Sequence, residues 1–276
     1  MGSSTPERIE IYRQLAKYLA EAGARVGARY FRQRVDNNDT HEPGELLSMA
    51  NQEIVGLMQR EIRRQYPDHL ILDDVSCQAQ SLEYHQCQTW IIDCLDGEKN
   101  FAVGFPYFCC SVSFYAGGQC QAASVADALH GDTFSYGHGI GSFLNDRRFH
   151  TSAPPNPRHA ILSVSWASHL SENVRELNTV LYERIVPIFS QQRRAGSIAL
   201  DLCYIAIGRF GGLYAYDPAL IDLAAGLPIA LGAGCRATDF EGLPFVLGKK
   251  TLVVASEPVM EVLLPQISGS LDFNGK

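Results

Sequence analysis

The sequence predicts a mixed α/β fold (α/β or α+β), and three patterns along its 276 residues carry this prediction. Apolar residues recur at helical spacing over residues 6–34 and 46–65, which indicates two amphipathic helices. Between residues 107 and 149, short apolar segments follow one another across glycine-containing turns, as in an antiparallel sheet. After residue 157, short apolar segments alternate with helical patterns. We therefore expect an α+β first half and an alternating α/β second half.

The first half is expected to begin with these two helices, separated by a polar loop over residues 35–44. Pro67 ends the second helix, because proline interrupts helical hydrogen bonding. Apolar strands at 70–72 and 90–92 then lie on either side of a polar connector over 78–88, before a short helical turn at 99–101. The antiparallel strands are predicted at residues 107–115, 121–129, 133–136 and 142–149.

A proline-rich run, Pro154-Pro155-Asn156-Pro157, is the best candidate for a boundary within the chain. It divides the sequence into an N-terminal half, 1–153, and a C-terminal half, 154–276, which we expect to pack as one globular unit. In the second half, strands are predicted at residues 160–164, 212–216 and 252–255, and helices at 172–189, 197–208, 222–231 and 258–264.

Composition and charge argue against several classes of function. The net charge of −7 and the absence of a basic patch disfavour nucleic acid and anionic membranes as partners. The sequence contains no stretch of about eighteen apolar residues. Its first residues lack the apolar core of a signal peptide, so we expect a cytoplasmic protein. The eight cysteines include no C-x-x-C pair, which favours reduced thiols in the core over a zinc site or disulfides.

The segment from Trp90 to Phe101 is the most informative part of the sequence. An apolar run ends in two carboxylates three positions apart, Asp93 and Asp96, and Gly97 follows. Like charges held together cost energy unless they are neutralised, and a divalent cation is the usual neutraliser. The first amides of the helical turn after Gly97 have no helical acceptor and suit an anion. Carboxylates for a metal beside free amides for a phosphate predict phosphoryl hydrolysis.

Two further segments place acidic residues at the end of a strand or at the start of a helix. Asp73 and Asp74 follow the first strand, and Asp222 opens an alanine-rich helix. Taken singly, each position is typical of a helix cap or a turn. Together with Asp93 and Asp96, these residues predict a site for one or two Mg²⁺ ions, with Mn²⁺ as the alternative cation.

Four segments of the chain, in their order along it, give it a pattern that resembles the inositol monophosphatase family. Residues 90–101 are similar to the family signature D-P-I-D-G-T-x-N-F, and residues 139–145 to its G-x-G-A-F-x-N hairpin. Residues 193–197 are similar to R-x-x-G-S, and residues 221–226 to W-D-x-A-A-G. The resemblance implies a layered αβαβα sandwich, often a homodimer, that hydrolyses small phosphomonoesters with Mg²⁺ and is inhibited by lithium.

The same resemblance assigns roles to individual residues. Five groups are implied as metal ligands: Asp74, Asp93, the Leu95 carbonyl, Asp96 and Asp222. Four positions are implied to bind the phosphate or the rest of the substrate: the amides of Gly97 and Glu98, and the segment with Gly196 and Ser197. The candidate catalytic residues are Asp74, in place of a water-orienting glutamate, Asp93 and Glu98.

Glu98 is the main departure from the family pattern, which has threonine or serine at this position. An ionised carboxylate donates no hydrogen bond, and about 4 Å from a phosphate it would repel that group by roughly 4 kcal/mol at an effective dielectric constant near 20. Glu98 either points to solvent at the helix start, enters the site as a ligand or base, or blocks the phosphate. We therefore expect an atypical or weakened phosphatase that acts on a small phosphorylated or polar metabolite. The alternatives are an inactive pseudophosphatase used for binding, and a family member with a different reaction in specialised metabolism.

Overall fold

The computed structural model describes residues 5–35, 43–74, 87–152, 156–166 and 171–268. Its helices are α1 Pro6–Val35, α2 Pro43–Gln65, α3 Glu98–Val103, α4 Glu172–Ile185, α5 Ile198–Ala206, α6 Leu220–Leu223, α7 Gly226–Gly232 and α8 Glu257–Ile267, with a 3₁₀ turn at Pro157–His159. Its strands are β1 Leu70–Leu72, β2 Gln88–Asp96, β3 Cys109–Ala116, β4 Gln119–Asp127, β5 Thr133–Gly137, β6 Gly141–Leu144, β7 Arg147–Phe149, β8 Leu162–Trp166, β9 Gln192–Arg193, β10 Gly212–Tyr216, β11 Arg236–Thr238 and β12 Thr251–Ala255. Most of the predicted loop over 35–44, most of the connector over 78–88 and the Pro154-Pro155 boundary lie outside the described residues.

The first sheet has seven strands, β1 to β7, in sequence order. β1 is parallel to β2, and each later neighbour is antiparallel. The apolar stripes of α1 and α2 cover one face of this sheet, where Leu19, Ile54 and Met58 share a core with Trp90 and Phe114. No helix in the described part of the chain has the length and apolar character that a membrane span requires.

The second sheet has five strands in the order β11-β12-β10-β8-β9. β8 is parallel to both β9 and β10, whereas β12 is antiparallel to β10 and β11. α4 and α8 cover the outer face of this sheet, where Leu181 and Leu263 share a core with Tyr214 and Val253. The carboxyl ends of β8, β9 and β10 therefore meet at one edge of the sheet.

α5, α6 and α7 form the layer between the two sheets. A single core combines Ile91 of the first sheet, Leu202 of α5, Ile229 of α7 and Leu213 of the second sheet. The order through the molecule is helices, sheet, helices, sheet, helices, because each sheet buries one face against this layer and the other against outer helices. The predicted layered αβαβα sandwich is confirmed.

Some elements differ from those predicted. β2 continues to Asp96 instead of ending before the carboxylates, because its pairing with β3 continues. The predicted helix over 222–231 is two helices, since Pro228 has no N–H for the Ala224 carbonyl and lies instead in the first turn of α7. The predicted strand over 142–149 is two strands around Asn145 and Asp146, whose φ angles of 48° and 64° form a tight turn. β9 and β11 were not predicted, because they are short and, unlike β1, contain no run of apolar residues.

Candidate active site

A β-bulge in β2 places Asp93 and Asp96 on the same side of the first sheet. Asp93 lies opposite Ser111 of β3 and Asp96 opposite Cys109, so three steps along β2 match two steps along β3. In a regular strand, residues three positions apart point to opposite faces. The extra residue of the bulge reverses this relation. Both carboxylates therefore reach the middle layer of the fold, where α5 and α6 begin.

The two residues between these carboxylates point the other way. Cys94 and Leu95 both belong to the core formed with α1 and α2. The Cys110 thiol donates a hydrogen bond to the Cys94 carbonyl at 2.6 Å. Burial raises the pKa of the Cys94 thiol well above its usual range, which keeps the thiol protonated. The structure thus gives Cys94 a packing role, although it lies between two candidate metal ligands.

Gly97 makes the transition from β2 to α3. Its φ is +102°, and a Cβ atom at this position would lie 2.8 Å from the carbonyl oxygen of Tyr107. Only glycine combines this backbone conformation with so close a contact. The Gly97 carbonyl accepts the Phe101 amide at 3.0 Å, which closes the first turn of the helix. This sharp turn brings Glu98 to the wall of the same cleft as Asp96.

Asp222 completes a group of three carboxylates. It lies in α6, and one ligand oxygen from each of Asp93, Asp96 and Asp222 lies within 4.8 Å of the others. Burial and neighbouring negative charges raise the pKa of Asp93 and of Asp222 well above the usual range, and burial raises that of Asp96 to about 6. None of the three forms an ion pair with a residue in the described ranges. A divalent cation would supply the missing positive charge.

Hydrogen bonds orient two of these carboxylates. The Ser197 hydroxyl and the Ala199 amide both donate to Oδ2 of Asp96, each at 2.7 Å. Asp96 therefore satisfies the start of α5, where a negative charge is also favoured by the helix dipole. The Leu95 amide donates to the Asp93 carboxylate, which lowers the pKa of Asp93 against the larger effect of burial. Both side chains are held by contacts that do not depend on a metal.

These carboxylates lie in a cleft of about 880 Å³ between the two halves of the chain. It is lined by nine of the residues that the sequence and the family resemblance indicate: Asp74, Asp93, Leu95, Asp96, Gly97, Glu98, Gly196, Ser197 and Asp222. Asp73, the tenth, does not line the cleft, and its carboxylate accepts a hydrogen bond from the side chain of Gln59 at 3.4 Å. Asp74 and Glu98 are exposed on its wall and lie outside the group of three. Desolvation in the cleft and the charges of Glu98 and Asp73 raise the pKa of Asp74 to about 6. Glu98 therefore acts electrostatically on the site.

The cleft also contains an acid that the sequence analysis missed. Asp201 of α5 is buried, and it accepts hydrogen bonds from the Ser163 hydroxyl at 2.5 Å and from the Tyr107 hydroxyl at 2.6 Å. Burial raises its pKa to about 7, although both hydrogen bonds lower it. A lone acid in the apolar stretch Ile198–Ala206 was the available signal, because such an acid needs partners from elsewhere in the fold. Asp201 links α5 to β8 of the second sheet and to the segment just before β3 of the first.

Part of the cleft lining comes from the carboxyl ends of the parallel strands. Trp166 ends β8, Arg194 follows β9 and Asp217 follows β10, and all three line the cleft. The ring of Trp166 stacks on Tyr216, with centroids 5.7 Å apart and planes 14° apart. Parallel sheets commonly bind ligands at this edge. The sequence analysis did not single out Arg194, because β9 is too short to show that a strand precedes it.

Known proteins are similar to this chain in sequence and in fold. An inositol-1-monophosphatase of Rhizobium meliloti is 29% identical over 221 residues, which cover 80% of this chain and 82% of that protein. The Nus factor SuhB of Vibrio cholerae is 27% identical over 254 residues, 90% of this chain and 94% of its own. The structure of an inositol monophosphatase from Anabaena (Nostoc) superposes with a TM-score of 0.79 at 22% identity, covering 96% of this chain and 98% of that one.

The agreement extends over almost the whole length of the sequence. The profile of the inositol monophosphatase family matches residues 8–271, from the first turn of α1 to beyond the end of α8. This range includes both sheets and every residue of the cleft described above. The chain belongs to the inositol monophosphatase family.

Proposed function

We propose that this protein is a Mg²⁺-dependent phosphomonoesterase that acts on a small phosphorylated metabolite. The observation that carries the proposal is the group of three carboxylates, Asp93, Asp96 and Asp222, within 4.8 Å of one another in an open cleft. Family membership supports phosphatase chemistry of the inositol monophosphatase type. We also propose that the protein is a homodimer and that it is cytoplasmic. Light scattering would test the homodimer, for which we expect twice the chain mass of 30.4 kDa.

The donor set fits a hard divalent cation. Carboxylate and carbonyl oxygens are the ligands that Mg²⁺ prefers, and Mn²⁺ accepts the same set. Asp93, Asp96 and Asp222 would hold it, with the Leu95 carbonyl and Asp74 as further ligands. When bound, the cation would lower the pKa of a water molecule and stabilise negative charge on the phosphoryl oxygens.

The remaining steps fall to residues of the chain. The amides of Gly97 and Glu98 at the start of α3 would bind phosphate oxygens, as helix starts commonly do. Asp74, exposed on the cleft wall, would orient the attacking water and accept its proton. Ser197 would keep Asp96 in place through its 2.7 Å hydrogen bond. Ser197 is buried, so we assign its hydroxyl to Asp96 and the adjoining Gly196 to substrate contact.

The test is a phosphomonoester panel with and without Mg²⁺, together with Asp222→Asn. We expect Mg²⁺-dependent hydrolysis by the wild type, and a loss of at least about a hundredfold in Asp222→Asn because one charged ligand is removed. Asp217→Asn is the matched control, since Asp217 lines the same cleft but lies outside the group of three. Its φ of +52° is one that asparagine also adopts. Full activity in Asp222→Asn, or loss of equal size in Asp217→Asn, would contradict the proposal.

Glu98 favours a second candidate, a binding protein without phosphatase turnover. Its carboxylate stands on the cleft wall, where it opposes an incoming phosphate. Several relatives bear the name Nus factor SuhB, a second reason to consider a role besides hydrolysis. Wild-type protein that binds Mg²⁺ calorimetrically but hydrolyses nothing, while Glu98→Thr gains hydrolysis, would favour this candidate. Metal binding with turnover of another substrate class would favour a different reaction, as in specialised metabolism.

A further inference from the structure

Arg194 stands at the edge of the cleft where the parallel strands β8 and β9 end. It directly follows β9, and its side chain is exposed. Its Nη2 donates a hydrogen bond to the carbonyl oxygen of Trp166, the last residue of β8, at 3.1 Å. This contact uses one of the five N–H donors of a guanidinium group and leaves a charged fork at the cleft wall.

The backbone after Arg194 is held by hydrogen bonds at Ala195 and Ser197, and Asn100 packs closely against the Gly196 between them. The Ala195 carbonyl accepts a hydrogen bond from Nδ2 of Asn100 at 2.7 Å. Gly196 has a φ of +89°, and a Cβ atom there would lie 3.1 Å from the same Nδ2 atom. Ser197 donates to Asp96 at 2.7 Å. Arg194 is therefore presented by a rigid segment, which reduces the entropy lost when the guanidinium binds a ligand.

The same segment limits the distance between Arg194 and the carboxylates. Three residues in extended conformation span at most about 11 Å, so the Cα atoms of Arg194 and Ser197 are no farther apart than that. Ser197 touches Asp96 of the carboxylate group. A metabolite whose phosphate lies at that group can therefore extend its other end to Arg194, within a cleft of about 880 Å³.

The charges of the cleft make this position distinctive. Its described lining contains seven acidic side chains and two basic ones, Lys99 and Arg194. Arg194 forms no ion pair with a residue in the described ranges, so the protein itself does not neutralise it there. A second negative group on a substrate would be repelled along most of the wall and attracted at this point.

We infer that Arg194 selects phosphomonoesters whose organic part carries a second anionic group, a carboxylate or a further phosphate. The planar fork of a guanidinium matches two oxygens of either group, which adds geometric selection to charge. The inference rests on the proposed function, because it places the reacting phosphate at the carboxylate group. It adds a requirement for the other end of the substrate.

The test uses alkyl phosphonates of three to six carbons, which have no ester bond to hydrolyse. Each carries a hydroxyl, a carboxylate or a second phosphonate at the far end, and calorimetry with Mg²⁺ gives the Kd of each. We expect the wild type to bind an anionic compound about tenfold more tightly than the hydroxyl compound of equal length. The stronger of the two anionic compounds identifies which group Arg194 takes.

Arg194→Gln should abolish this preference, and Arg194→Lys should keep part of it, because lysine retains the charge without the fork. Arg193→Gln is the matched control. Arg193 is also exposed, but its guanidinium donates to Gln191 and Gln192 at 2.9–3.4 Å and lies outside the cleft lining. Loosening of the backbone segment would weaken all compounds equally, so the ratio of Kd values isolates the effect of Arg194.

Two outcomes would overturn the inference. In the first, the wild type binds the anionic compounds no more tightly than the hydroxyl compounds, or binds no phosphonate at all. In the second, Arg194→Gln keeps the preference for the anionic compounds. The result also separates this inference from the proposed function. If the wild type prefers the anionic phosphonates but hydrolyses no phosphomonoester, the proposed phosphatase function is rejected and the role of Arg194 is supported. If the wild type hydrolyses phosphomonoesters but shows no preference for the anionic phosphonates, the proposed phosphatase function is supported and the role of Arg194 is rejected.

Discussion

Replacement of Glu98 by glutamine is expected to increase phosphatase activity, because it removes a negative charge and keeps the shape of the side chain. Glu98 lines the cleft, and its charge contributes to the raised pKa of Asp74, Asp96 and Asp222. The same charge opposes a phosphate that approaches the start of α3. Glutamine should therefore ease phosphate binding.

The exposure of Glu98 decides the size of the effect. Two unit charges about 4 Å apart repel by about 1 kcal/mol in bulk water and by about 4 kcal/mol at an effective dielectric constant of 20. Glu98 is exposed, so solvent screening favours the smaller value. Because about 1.4 kcal/mol corresponds to a factor of ten, we expect kcat/KM to rise about fivefold to tenfold. Near 1 M salt the Debye length is about 3 Å, and the increase should largely disappear.

The assay compares kcat/KM of the wild type, Glu98→Gln and Glu98→Thr at neutral pH with saturating Mg²⁺. Threonine also restores the hydroxyl of the family motif, so its activity should equal or exceed that of glutamine. Glu183→Gln is the matched control, since it removes an exposed carboxylate of α4 outside the cleft lining. An equal kcat/KM in Glu98→Gln would refute this reasoning, because the charge would then not oppose the phosphate. A lower kcat/KM would also refute it and would show that the carboxylate serves as a ligand or base.

Three further predictions concern the same cleft. Ser197→Ala removes one of two hydrogen bonds to Oδ2 of Asp96, so calorimetry should show Mg²⁺ affinity about tenfold weaker; unchanged affinity would count against this role. Gly97→Ala puts a Cβ atom 2.8 Å from the Tyr107 carbonyl at positive φ, and urea unfolding should show a loss of about 1–3 kcal/mol. Gly44→Ala, with open space around it, is the control, and equal stabilities would contradict the prediction. The pKa values of the cleft carboxyls are raised, so the folded state binds more protons than the unfolded chain does. The contribution of these carboxyls to the free energy of unfolding is therefore full below about pH 4 and falls as the pH rises through about 6. Mg²⁺ should therefore raise the Tm more at about pH 7.5 than at about pH 5, and an equal rise at both would argue against the raised values.

Local sequence is sufficient to predict a large part of the fold and to identify the candidate carboxylates. α1 and α2 were predicted because an apolar stripe of helical period over more than twenty residues has no other stable arrangement in water. Asp93, Asp96 and Asp222 stand out because acids directly beside buried apolar segments are unusual in any fold. The resemblance to the family adds their expected roles, and the structure brings these three side chains together.

Other features depend on contacts between residues far apart in the sequence. The spacing of Asp93 and Asp96 would put them on opposite faces of a regular strand, and only the pairing of β2 with β3 creates the bulge that unites them. Asp201 gains its partners from two other segments, and Arg194 gains its position from the end of β8. No local pattern contains these relations.

The sequence by itself therefore determined the long helices, the alternation of elements and the identity of the acids that we propose as metal ligands. These features depend on side-chain chemistry and periodicity within one segment. The tertiary structure alone decided which face each acid occupies, what orients it, and that Arg194 lines the same cleft as the carboxylates. These relations depend on strand register and on the meeting of strand ends, which arise only when distant parts of the chain pack together.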